Sequence, residues 1–91
     1  MHSLHVTVAI QGEFPDAASQ QAHLQQVVSE VSARPGFLHG YWLAPVDGQG
    51  HAYTFFDSEE HARESAPEIG FVHSGRAVIK DVELCPVLAH V

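Results

Sequence analysis

The sequence predicts an α+β fold in a single domain covering residues 1–91, and three observations lead to this prediction. Apolar residues alternate with other residues near both ends of the chain, which is typical of β-strands. Between about residues 15 and 33 the apolar spacing changes to that of an amphipathic helix. Two aromatic segments then flank Asp47 and Gly48, a pair that favours a turn between two strands.

Length, charge and cysteine content exclude several classes of function. Ninety-one residues have room for one modest hydrophobic core. A formal charge of −7 with four fixed cations argues against binding to nucleic acid or to an anionic membrane surface. The single cysteine, Cys85, cannot form an internal disulfide, and we see neither a signal-peptide pattern nor an apolar run of membrane-spanning length. We therefore expect a cytoplasmic protein.

The first half of the chain predicts a strand followed by a helix. The strand's apolar residues are Leu4, Val6, Val8 and Ile10. The helix is expected from about Pro15 to Ala33, with its buried stripe formed by Leu24, Val27, Val28 and Val31. Pro15 and Asp16 suit its first turn, and Pro35 with Gly36 ends it.

The predicted hairpin joins strands at residues 37–44 and 50–56. One face of the second strand carries Leu38, Gly40, Trp42 and Ala44, and the other carries Phe37, His39, Tyr41 and Leu43. In the third strand, Tyr53 and Phe55 lie opposite Ala52, Thr54 and Phe56. Apolar residues on both faces indicate that both faces are covered. Since helices can cover only one of them, we infer that a second subunit covers the other.

The last third of the chain predicts a short helix and a fourth strand. Asp57 is a suitable N-cap with Glu60 three residues later, and Ala62 and Ala66 are the inward positions. Pro67 and Gly70 end this helix, and the segment to Gly75 is expected to be irregular. The fourth strand carries Val78, Ile79, Val82 and Leu84. The apolar tail with Val87, Leu88 and Val91 is expected to cross to a partner or close a sheet edge.

The resulting order, βαββαβ, is that of a ferredoxin-like sandwich with a four-stranded antiparallel sheet. Three passages add a resemblance: Pro35-Gly36-Phe37, Gly40-Tyr41-Trp42, and Phe56 to Ala62 with the sequence FDSEEHA. In these, the chain resembles the dimeric α/β-barrel superfamily, and more narrowly its antibiotic-biosynthesis-monooxygenase type. The resemblance covers nearly the whole chain in architecture, but its motifs are confined to about residues 34–62 and mark the fold, not a reaction.

The resemblance implies a homodimer and a pocket for a small aromatic molecule. Aromatic residues that could line such a pocket are Tyr41, Trp42, Tyr53, Phe55 and Phe71. Trp42 is the strongest candidate, because its indole N–H needs a partner. The alternative is that these rings only fill the core and the subunit interface.

Histidines are the candidates for proton transfer, because imidazole titrates in the useful range. His39 shares a strand face with Tyr41, His51 shares one with Tyr53, and His73 is a third candidate; each can also be an ordinary strand histidine. His2 and His5 fall on opposite faces of a strand, which argues against a metal site. His61, in an acidic first turn, is expected to face water, and Cys85 is expected to be buried.

Two functions follow as hypotheses. The first is a cofactor-independent monooxygenase, an oxidoreductase that binds an aromatic or quinol-type molecule between the sheet and the helices, without metal or other cofactor. Trp42 and Tyr41 would position the substrate, and His39 or His73 would accept a proton. The second is a non-catalytic dimeric barrel that binds a small ligand or a protein partner. A closed apolar cavity would favour the first, and a core filled by the aromatic residues would favour the second.

Overall fold

The structure is a computed structural model that describes residues 1–12, 16–73 and 76–91, with His73 described by its backbone alone. Its elements in chain order are β1 (His2–Ile10), α1 (Ala17–Ser32), β2 (Phe37–Trp42), β3 (Gln49–Phe56), α2 (Glu59–Ser65), β4 (Val72–His73) and β5 (Ala77–Pro86). Pro15, expected in the first helical turn, lies outside the described residues. None of the helices in the described ranges is long and apolar enough to cross a membrane.

The strands form one antiparallel sheet in the order β2-β3-β1-β5-β4. The four long strands and two helices confirm the predicted ferredoxin-like α+β fold, with β1 at the centre of the sheet. The two-residue strand β4 adds an edge to the sheet within a segment that was predicted to be irregular. A strand this short leaves few backbone groups unpaired at the sheet edge.

The core lies between the sheet and α2. Leu4 of β1, Phe56 of β3 and Ala62 of α2 form its buried centre, and Ala66 packs against them. Ala62 and Ala66 were the predicted inward positions of this helix, and both predictions are confirmed. Thr54 is also buried, and its hydroxyl donates a hydrogen bond of 3.2 Å to the Leu4 carbonyl. This bond removes the cost of burying an unpaired hydroxyl.

Helix α1 packs more loosely than its apolar stripe predicts. The Asp16 side chain caps it by accepting a 2.7 Å hydrogen bond from the Ser19 backbone N–H. The same bond lowers the pKa of the Asp16 carboxyl. None of its residues is fully buried, and Leu24 is exposed, although the helix contacts β2. The predicted stripe is therefore only half-buried in the single chain.

Helix α2 is capped by a different residue from the one expected. Ser58, not Asp57, is the N-cap, and its side chain accepts the His61 backbone N–H at 3.2 Å. The Asp57 carboxylate instead contacts the His61 ring. Two oxygen-bearing residues in succession compete for the capping position, and only one can take it.

The predicted face of Phe37 is wrong, because β2 contains a bulge. Phe37 pairs with Phe56, and His39 pairs with the neighbouring residue Phe55. Strand β2 therefore has one extra residue, Leu38, between these two pairs. Such a bulge reverses the alternation of side chains. Phe37 consequently packs against the core, while His39 and Tyr41 keep the opposite face.

The end of the chain also differs from expectation in two respects. Cys85 is exposed, because its register partner Ser3 lies on the sheet face away from the core. Leu88 is 99% exposed, and Val91 is likewise exposed. The Val87 N–H donates to the Met1 carbonyl at 3.0 Å, after which the tail has no strand pairing. Within this chain it does not close a sheet edge.

Candidate functional site

The strand registers sort the candidate side chains onto two faces of the sheet. The helix face carries the core, and it also carries Trp42, whose register partner is Ala52. We call the other surface the open face. Its residues on the four long strands include Ser3, His5, Thr7, His39, Tyr41, His51, Tyr53, Phe55, Asp81, Glu83 and Cys85. The predicted sharing of faces by His39 with Tyr41, and by His51 with Tyr53, agrees with this register.

One ring cluster on the open face joins β2 to β3. His39 stacks on Phe55 with ring centroids 4.7 Å apart and an interplanar angle of 26°. Tyr41 meets both rings edge-on, at 5.9 Å from His39 and 6.4 Å from Phe55. Cross-strand aromatic contacts of this kind stabilise a sheet and also provide flat apolar surface. Three candidate residues are therefore brought together.

A second cluster joins β3 to the central strand. The His5 ring stacks on Tyr53 at 4.2 Å and 7°, and its centroid is 5.3 Å from that of His51. His5 Nε2 lies 3.1 Å from His51 Nδ1, and the Thr7 hydroxyl lies 3.4 Å from the same His51 nitrogen. On the other side, His5 Nδ1 is 3.7 Å from a Glu83 carboxylate oxygen.

From the sequence alone, His5 has no predicted role in this cluster. Its separation from His2 onto the opposite strand face is confirmed by the register. The signal that points to His5 is its place in β1, where it and Thr7 alternate with the apolar residues and must face away from the core. Its proximity to His51 depends on the pairing between β1 and β3, which the alternation alone does not specify.

Trp42 lies apart from both clusters. A Cβ added to Gly40 would come within 2.9 Å of the Trp42 ring, so the indole lies directly over that glycine on the helix face. The Gly40-Tyr41-Trp42 passage thus places a glycine beneath an indole on one face and a tyrosine on the other. Trp42 and Tyr41 cannot line the same side of the sheet.

Phe71 and His73 belong to the opposite sheet edge. The exposed Phe71 immediately precedes β4, and the His73 backbone pairs with Ala77. Strand β4 is separated from β2 by the three other strands. The His73 side chain lies outside the described residues, so its expected role in proton transfer remains a prediction.

A third polar contact connects two of the motif passages. Asp57 Oδ1 lies 2.6 Å from His61 Nδ1, and the Asp57 N–H donates to the Gly36 carbonyl at 2.9 Å. The hydrogen bond to Asp57 raises the pKa of His61, and the same bond lowers the pKa of Asp57. His61 is only partly exposed, because its ring lies against Gly36. This contact links the start of α2 to the loop before β2.

The open face supplies flat rings and imidazoles, which suit a planar ligand and proton transfer. A shallow cleft of about 580 Å³ lies elsewhere, on the helix side, and is lined by Ile10, Gly12, Asp16, Ala17, Gln20, Pro45 and Gly48. It includes none of the predicted site residues. Across the described ranges, no group of three or more histidine, cysteine, aspartate or glutamate side chains is placed to hold a metal ion.

The protein is therefore a ferredoxin-like α+β protein. One face of its sheet packs in the core, and the other carries aromatic and imidazole rings. Protein YJCS, solved in a structural-genomics effort, has a similar fold: the TM-score is 0.59 at 14% sequence identity. The match covers 94% of this chain and 97% of that chain. No family model matches the sequence, and no curated protein matches it.

Proposed function

We propose that this chain is a cytoplasmic homodimer of the antibiotic-biosynthesis-monooxygenase type that binds a small aromatic or quinol-type molecule. The observation that supports the proposal is the ring-bearing open face. In one chain, Tyr41 is 59% exposed, and its cross-strand partner Tyr53 is 36% exposed. Contiguous exposed apolar surface of this kind marks an interaction site.

A second copy of the chain suits this surface. Two-fold symmetry would place the same open face of each subunit against the other, so each ring cluster would be covered by the partner sheet. The small core gives a further reason, because a chain with few fully buried residues gains burial by pairing. The half-buried apolar stripe of α1 is not an argument against an interface on the open face, since the stripe lies on the helix side of the sheet.

The proposed ligand-binding residues are Tyr41, Tyr53 and Phe55, with His39 as the proton acceptor. A planar phenol lying against these rings would place its hydroxyl near the imidazole that stacks on Phe55. Covering by the partner would exclude water and strengthen each polar contact. Trp42, on the helix face, would act only on a ligand that enters between β2 and α1.

The proposed reaction balances without a cofactor because the substrate supplies the electrons. His39 accepts the phenolic proton, and the electron-rich ring reduces O2. One oxygen atom forms a carbonyl at the para carbon in place of its C–H bond, and the other leaves as water. A phenol with a free para position and O2 therefore give a quinone and water. The proton that His39 took up returns with that water.

A non-catalytic dimeric barrel is the second candidate, and one observation favours it. The rings of the open face are already stacked on one another within a single chain, His39 on Phe55 and His5 on Tyr53. Two such faces could fill the interface between subunits without leaving space for a substrate. The protein would then bind a partner or a ligand at another surface.

Light scattering coupled to size-exclusion chromatography tests the dimer. We expect the native chain to elute as a dimer and Tyr53→Lys, which adds a charge to the open face, to elute as a monomer. Ile69→Lys is the matched control, because Ile69 is 65% exposed and follows α2, away from the open-face clusters. A native monomer, or a dimer insensitive to Tyr53→Lys, would contradict the proposed interface.

Oxygen consumption tests the reaction separately. With 1-naphthol as the phenolic probe, we expect O2 uptake matched by quinone formation, reduced at least tenfold in His39→Gln. Native mass spectrometry of protein isolated from its own host would show any bound organic molecule. A dimer with neither turnover nor an adduct would reject the oxygenase proposal and leave the non-catalytic barrel.

A further inference from the structure

We propose that His5 and His51 form a two-imidazole binding site for a first-row transition-metal ion such as Zn²⁺ or Ni²⁺. The site lies on the open face, between the central strand β1 and its neighbour β3. It requires neither the oxygenase reaction nor a second subunit, because both imidazoles belong to one chain.

The distance between the two ring nitrogens is the first argument. His5 Nε2 and His51 Nδ1 are 3.1 Å apart. Zinc–nitrogen bonds of about 2.0–2.1 Å in tetrahedral geometry place two ligand nitrogens roughly 3.3 Å apart. A square-planar ion brings adjacent nitrogens to roughly 2.9 Å. The observed spacing lies between these values, so small side-chain rotations would admit either geometry.

The outer contacts of His5 are the second argument. A metal-binding histidine usually donates its other ring N–H to a carboxylate, which selects the tautomer and orients the ring. The exposed Glu83 carboxylate lies 3.7 Å from His5 Nδ1, on the side of the ring away from His51. This is an ion-pair distance, and a small rotation of the Glu83 side chain would bring it within hydrogen-bond length. Tyr53 holds the plane of the same ring by stacking at 4.2 Å. His5 is therefore oriented with Nε2 directed towards His51.

The proposed site uses two protein ligands and leaves the remaining coordination positions to water. The described residues provide no third histidine, cysteine or carboxylate ligand in position. Open positions are characteristic of metal ions that exchange ligands, so a substrate oxygen could enter there. In the absence of metal, one shared proton would join the same two nitrogens as a hydrogen bond. Metal binding would move that proton to the outer nitrogen of the ring that carried it, and the following experiment separates the two cases.

Isothermal titration calorimetry of the tag-free chain with ZnCl2 and NiCl2 at pH 7.5 tests the site. We expect one ion per chain, with affinity reduced at least tenfold in His5→Gln and in His51→Gln. Glu83→Gln should weaken binding by about 10- to 100-fold. His2→Gln is the matched control, because His2 lies on the same strand but on the opposite face. Unchanged binding in His51→Gln, or loss of binding in His2→Gln, would overturn the proposal.

Nuclear magnetic resonance of the native chain provides a test that needs no variant. Addition of ZnCl2 should shift the imidazole resonances of His5 and His51 and leave those of His2 and His90 in place. If a substitution disturbs folding, as judged by circular dichroism, this titration still decides the matter. Shifts at His2 or His90 alone, or no shifts at all, would refute the site.

Discussion

Replacing Gly36 by alanine should destabilise the protein strongly, for two separable reasons. Gly36 has φ = +80°, in the left-handed region, where an L-residue costs about 1–2 kcal/mol. A Cβ at this position would also collide with His61 Nδ1 and Asp57 Oδ1. Overpacking of this kind costs about 1–3 kcal/mol. We therefore expect a loss of about 2–5 kcal/mol, or roughly 8–40 °C in Tm for a chain of this size.

A double-mutant comparison separates the backbone cost from the collision. In the Asp57→Ala/His61→Ala background the colliding atoms are gone, so Gly36→Ala should cost only the backbone part, about 1–2 kcal/mol. Urea unfolding followed by circular dichroism would measure all four proteins. If Gly36→Ala lowered the free energy of unfolding equally in both backgrounds, the collision would make no contribution to its effect. A cost below about 0.5 kcal/mol in the native background, within the range of an ordinary surface substitution, would refute the whole argument.

Three further predictions concern the same side of the sheet. The Asp57–His61 bond raises the pKa of His61 above its ordinary 6.5 and lowers that of Asp57 below its ordinary 3.8. The stability that protonated His61 contributes is therefore complete below pH 6.5 and is lost as pH rises through its raised pKa. The stability that ionised Asp57 contributes is present above pH 3.8 and is lost as pH falls through its lowered pKa. The stability difference between the native chain and Asp57→Asn/His61→Gln should be greatest between these limits; a flat difference from pH 3 to 9 would contradict the pairing. Phe56→Ala, which empties a fully buried position, should cost about 3–5 kcal/mol in urea unfolding, and a loss below about 1 kcal/mol would mean that Phe56 is not central to the core. Gly40→Ala should displace the indole of Trp42, the only tryptophan, and shift its fluorescence emission, whereas an unchanged spectrum would show that the ring does not lie over Gly40.

Local periodicity explains why the fold could be predicted. Alternation in β1 assigns each side chain to a face without reference to any other element, and the structure follows it from Leu4 to Ile10. The inward face of helix α2 could likewise be predicted from its small residues, Ala62 and Ala66. The short strand β4 was not, because two residues carry no period and depend on pairing with β5.

The errors arise where a side chain's position depends on a neighbour in space. One extra residue in β2 moved Phe37 to the core, and no periodic signal marks such a bulge. Cys85 was expected to be buried because its residue type usually is, yet its face is determined by pairing with Ser3. The His5–His51 contact is diagonal between strands, so it follows from register alone.

Glycines in two of the motif passages lie on the side of the sheet that holds the core. Gly36 lies against the Asp57–His61 pair, and Gly40 makes room for Trp42. These residues have steric or hydrogen-bonding roles that require no ligand. The open face carries the rings and imidazoles, and its side chains are not needed to close the core. A chemical function is therefore better sought on that face, which includes Tyr41 of the second motif passage, because side chains that the fold does not require are available for binding.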